Sequence, residues 1–279
     1  MSRSSVPNSI KQAIKAAAPP LIWGFLKRLQ TQLALLSFRT REVRHNYHGF
    51  PLTIRLADPL GQGWYDHDWD ALPELTLLGA KKLKPGAKVF DLGAHQCVVA
   101  LVQSRLVGPE GLVVALEASD HDASVGRANR SLNAATNLEI IHGVIAARSG
   151  TITFTLEGHV DDGVSNAGRT TARAYTIDEL SRTFGVPDVL FIDVEGYEIQ
   201  ALQGATETLC TMPDCFVEVH VGVGLERFGG TVEEVLRFFP AERYECFVRA
   251  DGPTDFTSLA ESPQLLQDRF FLLALSRSA

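Results

Sequence analysis

The sequence predicts an α/β protein: a Rossmann-like, seven-stranded, mostly parallel sheet with an N-terminal helical and hairpin extension. Three observations predict it. Short apolar runs recur at 87–92, 112–117, 138–145, 188–193, 215–220, 243–249 and 269–275, each the length of a buried strand. Helical patterns at 97–107, 120–133, 196–210 and 231–239 lie between most of them, and strand–helix alternation places helices on both faces of a parallel sheet. The stretch "AKVFDLGAHQCVVAL" (87–101) joins the first such strand to its helix through a tight turn at Gly93.

The elements follow in order, with residues 1–84 forming the extension and 85–279 the main domain. Residues 1–9 read as disordered, and 10–38 as helical pieces broken by Pro19-Pro20. Ile22, Leu26, Leu29, Leu33 and Leu36 fall near one face, suited to packing on the domain, to self-association or to peripheral membrane contact. The longest apolar run, "AAAPPLIWGFL" (16–26), is too short to span a bilayer. It lacks the context of a signal-peptide cleavage site. Residues 43–58 form a hairpin turning at His48-Gly49, and "GQGWYDHDWD" (61–70) is a glycine- and aromatic-rich loop. A helix over 71–83 stops at Lys84-Pro85-Gly86. An insertion at 150–177 interrupts the alternation with two further strands around a polar loop.

Charge narrows the partners. The net charge is −7, yet residues 1–45 hold eight Lys and Arg against one Glu. The remainder is therefore strongly acidic and excludes non-specific binding of nucleic acid. The four cysteines show no CxxC pair, which fits reduced thiols in a cytoplasmic protein and no zinc site.

Ligands of open α/β sheets sit beyond the carboxyl ends of the strands. There the chain places Asp91-Leu92-Gly93, Glu117-Ala118-Ser119, His142-Gly143-Val144, Asp193-Val194-Glu195-Gly196 and Glu218-Val219-His220. Glu117 follows Gly93 at about the interval where an acid meets a ribose diol. A dinucleotide fingerprint starting at Gly93 would need glycine at 95 and 98, which are His95 and Val98. No Gly-Lys-Ser/Thr is present either. A ligand with a ribose but no phosphate suits this turn, and S-adenosylmethionine is such a ligand.

The segments "VFDLGAHQCVVA", "VVALEAS", "NLEIIHGVIAARSGTITF", "TIDEL" and "LFIDVEGYEIQALQGA" resemble the FkbM family of S-adenosylmethionine-dependent methyltransferases, over roughly residues 85–220. The resemblance implies a class I methyltransferase fold with its last strand antiparallel. It also implies O-methylation of a sugar, glycolipid or natural-product hydroxyl. Carried onto this chain, Asp91, Gly93, Ala94 and His95 line the methionine end and Glu117, followed by Ala118, holds the ribose. Gly143 and Val144 flank the adenine, and Asp193 stands below the reacting centre. The chain departs from the family pattern at His95 and Cys97, where Asn and Gly are usual.

Methyl transfer to a hydroxyl needs alignment and a proton acceptor. His220 and Asp193 are the candidate bases, with Glu195 beside them. Mg²⁺ on Asp193, Glu195 and Glu218 is possible but not favoured. Trp64, Tyr65 and Trp69 are candidates for stacking on a small-molecule or glycan acceptor, and Asp162 and Ser165 for binding its hydroxyls. The alternatives are a non-catalytic relative and a nicotinamide-dependent oxidoreductase, the latter disfavoured by the missing glycines.

Overall fold

A computed structural model describes residues 37–155, 169–252 and 255–277. The helical pieces expected over 10–38 fall almost wholly outside the described residues, as do Asp162 and Ser165. Among the described residues no helix is long and apolar enough to cross a membrane. The chain divides into two compact units, Met1–Val43 with Arg55–Asp66, and Arg44–Ile54 with His67–Ala279.

The smaller unit contains a helix where the glycine- and aromatic-rich composition suggested a loop. Asp58 caps α1 (Pro59–Tyr65), its carboxylate accepting from Gly61 N at 2.7 Å. Pro59 opens the first turn, where its missing N–H costs nothing. Gly61 and Gly63 masked this Asp-Pro start signal. The expected hairpin is present as β1 (Arg41–Tyr47) and β2 (Phe50–Leu56). Its turn residues His48 (φ 51°) and Gly49 (φ 83°) both adopt the positive φ of a type I′ turn. In the larger unit, α2 (Pro73–Gly79) is shorter than the 71–83 pattern.

The main sheet begins with β3 (Lys88–Leu92), followed by α3 (Val98–Val107), β4 (Leu112–Glu117), α4 (Asp120–Leu132) and β5 (Leu138–His142). The apolar run 138–145 was expected to be one strand, but it breaks at Gly143. β6 (Val144–Ile145) leaves the main sheet and pairs with β8 (Arg169–Tyr175), which also pairs with β7 (Gly150–Thr155). A Cβ at Gly143 would lie 2.6 Å from the Tyr175 ring and 2.8 Å from Arg173 O, so the crossing to the second sheet needs glycine there. The insertion's two strands are as expected.

After α5 (Ile177–Phe184) come β9 (Val189–Ile192), α6 (Glu198–Gln203), α7 (Thr206–Cys210) and β10 (Asp214–Val219). The single helix expected over 196–210 is divided because the Asp178 carboxylate accepts from the amides of Glu207 and Thr208 and thereby starts α7 afresh. Then follow α8 (Val232–Arg237), β11 (Tyr244–Ala250), β12 (Thr257–Ser258) and β13 (Phe270–Ser276).

The strand order is β12-β11-β13-β10-β9-β3-β4-β5. β10, β9, β3, β4 and β5 run parallel, and β13 inserts antiparallel between β10 and β11. All seven expected strands are present, and the two-residue β12 adds an eighth at the edge. Leu92, Leu116, Ile192 and Val217 pack in one core with Ile177, Leu180, Ile199 and Leu202 from the helices. Each side chain fully buried this way contributes about 1.5–3 kcal/mol. The register Leu92↔Leu116, Leu92↔Ile192 and Ile192↔Val217 brings the carboxyl ends of these strands to one rim.

Candidate active site

The turn between β3 and α3 is built around contacts with its neighbours. Gly93 has φ 90°, and a Cβ on it would meet Asp193 O at 1.7 Å. The loop leaving β9 therefore lies directly against this turn, and only glycine permits that approach. Gly93 N and Ala94 N donate to Leu116 O at 2.9 and 3.2 Å. His95 N and Ser119 N donate to the two carboxylate oxygens of Glu117, each at 2.7 Å. A carboxylate has about four lone-pair sites, so Glu117 can still receive a diol.

Burial lifts the Glu117 carboxyl to about 7, although the amides of Ser119 and His95 pull the other way. Burial and the Glu117 charge lift Asp91 to about 7 as well. The Asp91 Oδ2 atom is buried and receives no hydrogen bond. Such an acceptor fits the ammonium group of a bound amino-acid moiety.

His95 (φ 47°) and Cys97 (φ 61°) both take the left-handed conformation, at a cost of about 1–3 kcal/mol each for non-glycine residues. Cys97 is fully buried. Its Sγ lies against α4, where a Cβ added to Gly126 would come within 2.6 Å of it. The side chain that replaces the family's glycine is thus accommodated by a glycine on the facing helix. Burial, then the charges of Asp91, Glu117 and Asp122, hold the thiol well above its ordinary range. It lacks both the exposure and the lowered pKa of a reactive thiol.

A second group forms where β9 and β10 end. Glu195 (φ 51°) and Gly196 (φ 100°) are both left-handed, and a Cβ on Gly196 would meet the Gly224 backbone at 2.4 Å. His220 is 1% exposed. Its Nδ1 lies 2.7 Å from Glu198 Oε1, which also accepts from Gly196 N at 2.9 Å. Its Nε2 faces Glu195 Oε2 at 3.3 Å, Glu218 Oε1 at 3.5 Å and Asp193 Oδ1 at 3.7 Å. None of these three approaches is a hydrogen bond. Arg269 approaches Glu218 at 3.3 Å.

Burial pulls the His220 imidazole down. The hydrogen bond and charge of Glu198, with the charges of Asp193 and Glu195, outweigh it and carry the group up to about 9. Burial and the charge of Glu218 push Asp193 well above the carboxylate range. The Asp193 side chain is 37% exposed, yet its Oδ1 is buried and without a hydrogen bond. The group is therefore a pocket rich in acceptor atoms around one buried imidazole.

Most of the predicted residues meet in these two groups. Asp91, Gly93, Ala94, His95, Cys97, Glu117 and Ala118 form the turn and its support, while Asp193, Glu195 and His220 form the second group. The contact of Gly93 with Asp193 joins them. Gly143 N donates to Glu117 O at 2.9 Å, and Val144 beside it is nearly buried. Trp64 and Tyr65 lie on α1 of the smaller unit, Trp64 exposed and Tyr65 buried. Trp69 packs edge-on against Tyr47, with centroids 5.0 Å apart. Sequence reasoning missed Gly126, because its partner Cys97 lies on another element. Glu198 stood out in the sequence only as part of the segment "LFIDVEGYEIQALQGA". The spacing Glu195-x-x-Glu198 was visible in the sequence, but the pairing with His220 required the fold.

A model of the methyltransferase FkbM domain matches residues 91–246, more than half of the chain. The chain belongs to the FkbM methyltransferase family. It carries that family's S-adenosylmethionine-dependent domain in a class I methyltransferase fold. Family membership replaces the nicotinamide reading. The hexuronic acid methyltransferase AglP of Haloferax volcanii is 34% identical over 84 residues, 28% of this chain and 35% of AglP. The crystal structure of methyltransferase FkbM from Methylobacillus flagellatus KT aligns with a TM-score of 0.45 and 15% identity, covering 67% of this chain and 43% of that one. The chain thus spans less than half the length of these two relatives. Aeropyrum pernix fibrillarin, solved with natively bound S-adenosyl-L-methionine, aligns with a TM-score of 0.44 and 14% identity over 87% of this chain and 86% of its own.

Proposed function

We propose that this FkbM-family member is an O-methyltransferase acting on a hydroxyl of a sugar, glycolipid or natural-product acceptor. The observation that carries the reading is the backbone contact between Gly93 and Asp193. It brings the turn between β3 and α3 beside a cluster of carboxylates and an imidazole, groups suited to receiving hydroxyls. AglP, a hexuronic acid methyltransferase, supports a carbohydrate among the acceptor classes.

Glu117 accepts the ribose diol on the lone pairs its backbone partners leave free, and Asp91 Oδ2 receives the ammonium group. Gly143 and Val144 stand beside Glu117 on the adenine side. The cofactor supplies a methyl group already activated on a sulfonium. The chain's part is to orient the acceptor oxygen and remove its proton. Asp193 takes that proton, because burial and the charge of Glu218 make it a stronger base than an ordinary aspartate. His220 and Glu195 hold the acceptor beside it. The acceptor oxygen would give its proton to Asp193 as it receives the methyl group.

The test is incubation of the purified chain with methyl-labelled cofactor and a panel of glycans, glycolipids and polyhydroxylated natural products, followed by mass spectrometry. Label in an alkali-stable ether is the expected result. Label in an ester or amine, with none in an ether, would overturn the assignment to hydroxyls.

A further inference from the structure

We infer that Asp193, Glu195 and His220 form a binding site for one divalent transition-metal ion. The sequence pattern favoured no metal and offered Mg²⁺ on Asp193, Glu195 and Glu218 only as the lesser reading. The folded chain arranges these residues differently. His220 Nε2 is buried, makes no hydrogen bond and points among carboxylate oxygens. It lies 3.3 Å from Glu195 Oε2 and 3.7 Å from Asp193 Oδ1, and the ligand atoms of all three residues lie within 4.8 Å of one another. Two ligands each about 2.1 Å from an ion stand about 3.0 Å apart at a right angle and about 3.4 Å apart at the tetrahedral angle. The 3.3 Å separation already lies near the tetrahedral value, and the 3.7 Å separation exceeds it by about 0.3 Å.

The surroundings support the same conclusion. Metal-binding histidines usually give their other ring N–H to a carboxylate, which fixes the tautomer and leaves a lone pair for the ion. Glu198, fully buried and 2.7 Å from Nδ1, stands in that position. Asp193 Oδ1 is a second buried atom in the pocket without a hydrogen bond. Glu218 has Arg269 as a partner at 3.3 Å, so it is the carboxylate that needs the ion least. Glu195 holds its left-handed backbone (φ 51°) at the pocket mouth, and strain of this kind gathers where function over-determines geometry. One imidazole with two carboxylates suits Mn²⁺, Fe²⁺ or Zn²⁺ better than Mg²⁺, which takes oxygen ligands. The site stands independently of the methyl-transfer reading. Use of the ion to polarise an acceptor hydroxyl rests on that reading.

Mn²⁺ is the probe. The full chain is stripped with a chelator, desalted and titrated with MnCl₂, while free Mn²⁺ is followed by electron paramagnetic resonance. Cofactor binding is measured calorimetrically on the same sample. The expected result is one Mn²⁺ per chain, with ¹⁴N coupling in the pulsed spectrum. Glu195→Gln, on a largely exposed side chain, should weaken binding by about tenfold or more, whereas Glu226→Gln outside the cluster should leave it unchanged. Absence of saturable binding at millimolar Mn²⁺, or equal affinity in Glu195→Gln, would overturn the site. Intact cofactor binding in that sample would leave the methyltransferase reading standing, and its loss alone would implicate that reading.

Discussion

Replacing Glu117 with glutamine isolates the charge that grips the nucleoside. Both Glu117 oxygens accept backbone N–H groups at 2.7 Å. Glutamine has one acceptor oxygen, so its amide group must oppose either His95 N or Ser119 N. A buried donor left unsatisfied costs about 1–3 kcal/mol. Against this, the wild-type carboxylate is itself unfavourable when ionised, because burial has raised it to about 7, and glutamine removes that penalty. The variant should therefore remain folded. Cofactor binding is different. Two charge-assisted hydrogen bonds from the ribose diol, about 1.5–3 kcal/mol each, give way to one neutral bond of about 0.5–1.5 kcal/mol. The net loss is about 2.5–4.5 kcal/mol, centred on about several hundredfold in Kd.

The pH dependence carries a second signature. Binding favours the ionised carboxylate, so wild-type affinity should rise as pH climbs towards 7 and level off above it. Each bound proton that must leave contributes about tenfold per pH unit in that window. In Glu117→Gln the part of this slope carried by Glu117 should vanish, while burial, the larger cause of the Asp91 shift, keeps the Asp91 part. Calorimetry from pH 6 to 8, in buffers of contrasting ionisation enthalpy, measures both affinity and proton release. A variant that binds within threefold of wild type, or keeps the full pH slope, would refute the role given to Glu117.

Other perturbations test the architecture. Ligand-free protein should lose stability as pH rises from about 4 through 7, since Asp91 and Glu117 hold protons more tightly folded than unfolded; thermal melts across that range that stay flat or rise would contradict it. Gly93→Ala should abolish cofactor binding or folding, because its Cβ would overlap Asp193 O; a normal melt with normal binding would show that the two loops can part. Asp193→Asn should cut turnover by about a hundredfold or more while cofactor affinity changes little, and kinetics beside calorimetry separate the two. Gly126→Ala should cost about 1–3 kcal/mol through overpacking on Cys97, and Cys97→Gly should rescue it. Additive denaturation midpoints in that double-mutant cycle would argue against the contact.

Much of the fold was legible because parallel strands covered on both faces leave continuous apolar runs, as in β3 and β9. The rim residues were legible for the same reason, since an acid that ends such a run must stand at the sheet's edge. The break at Gly143 was not, because the apolar run continues through a residue whose role is to let the chain cross against Tyr175. Nor was the helix after Asp58, where two glycines outweighed the cap. At the site, His220 was visible as a strand-end histidine. Its environment was not, since it depends on Glu198, twenty-two positions earlier and brought up by a different element. Composition and spacing report which groups reach the rim, while the folded chain decides how closely they crowd.

The volume shared by Cys97 and Gly126 has an evolutionary consequence. A sulfur on one side leaves no room for a methyl on the other, so the two positions are constrained to drift as a pair. A lineage that restored glycine at 97 would free position 126 to accept alanine. One that kept the thiol would hold glycine there, even though glycine inside a helix weakens it. Sequences related to this one should therefore seldom carry a side chain at both positions.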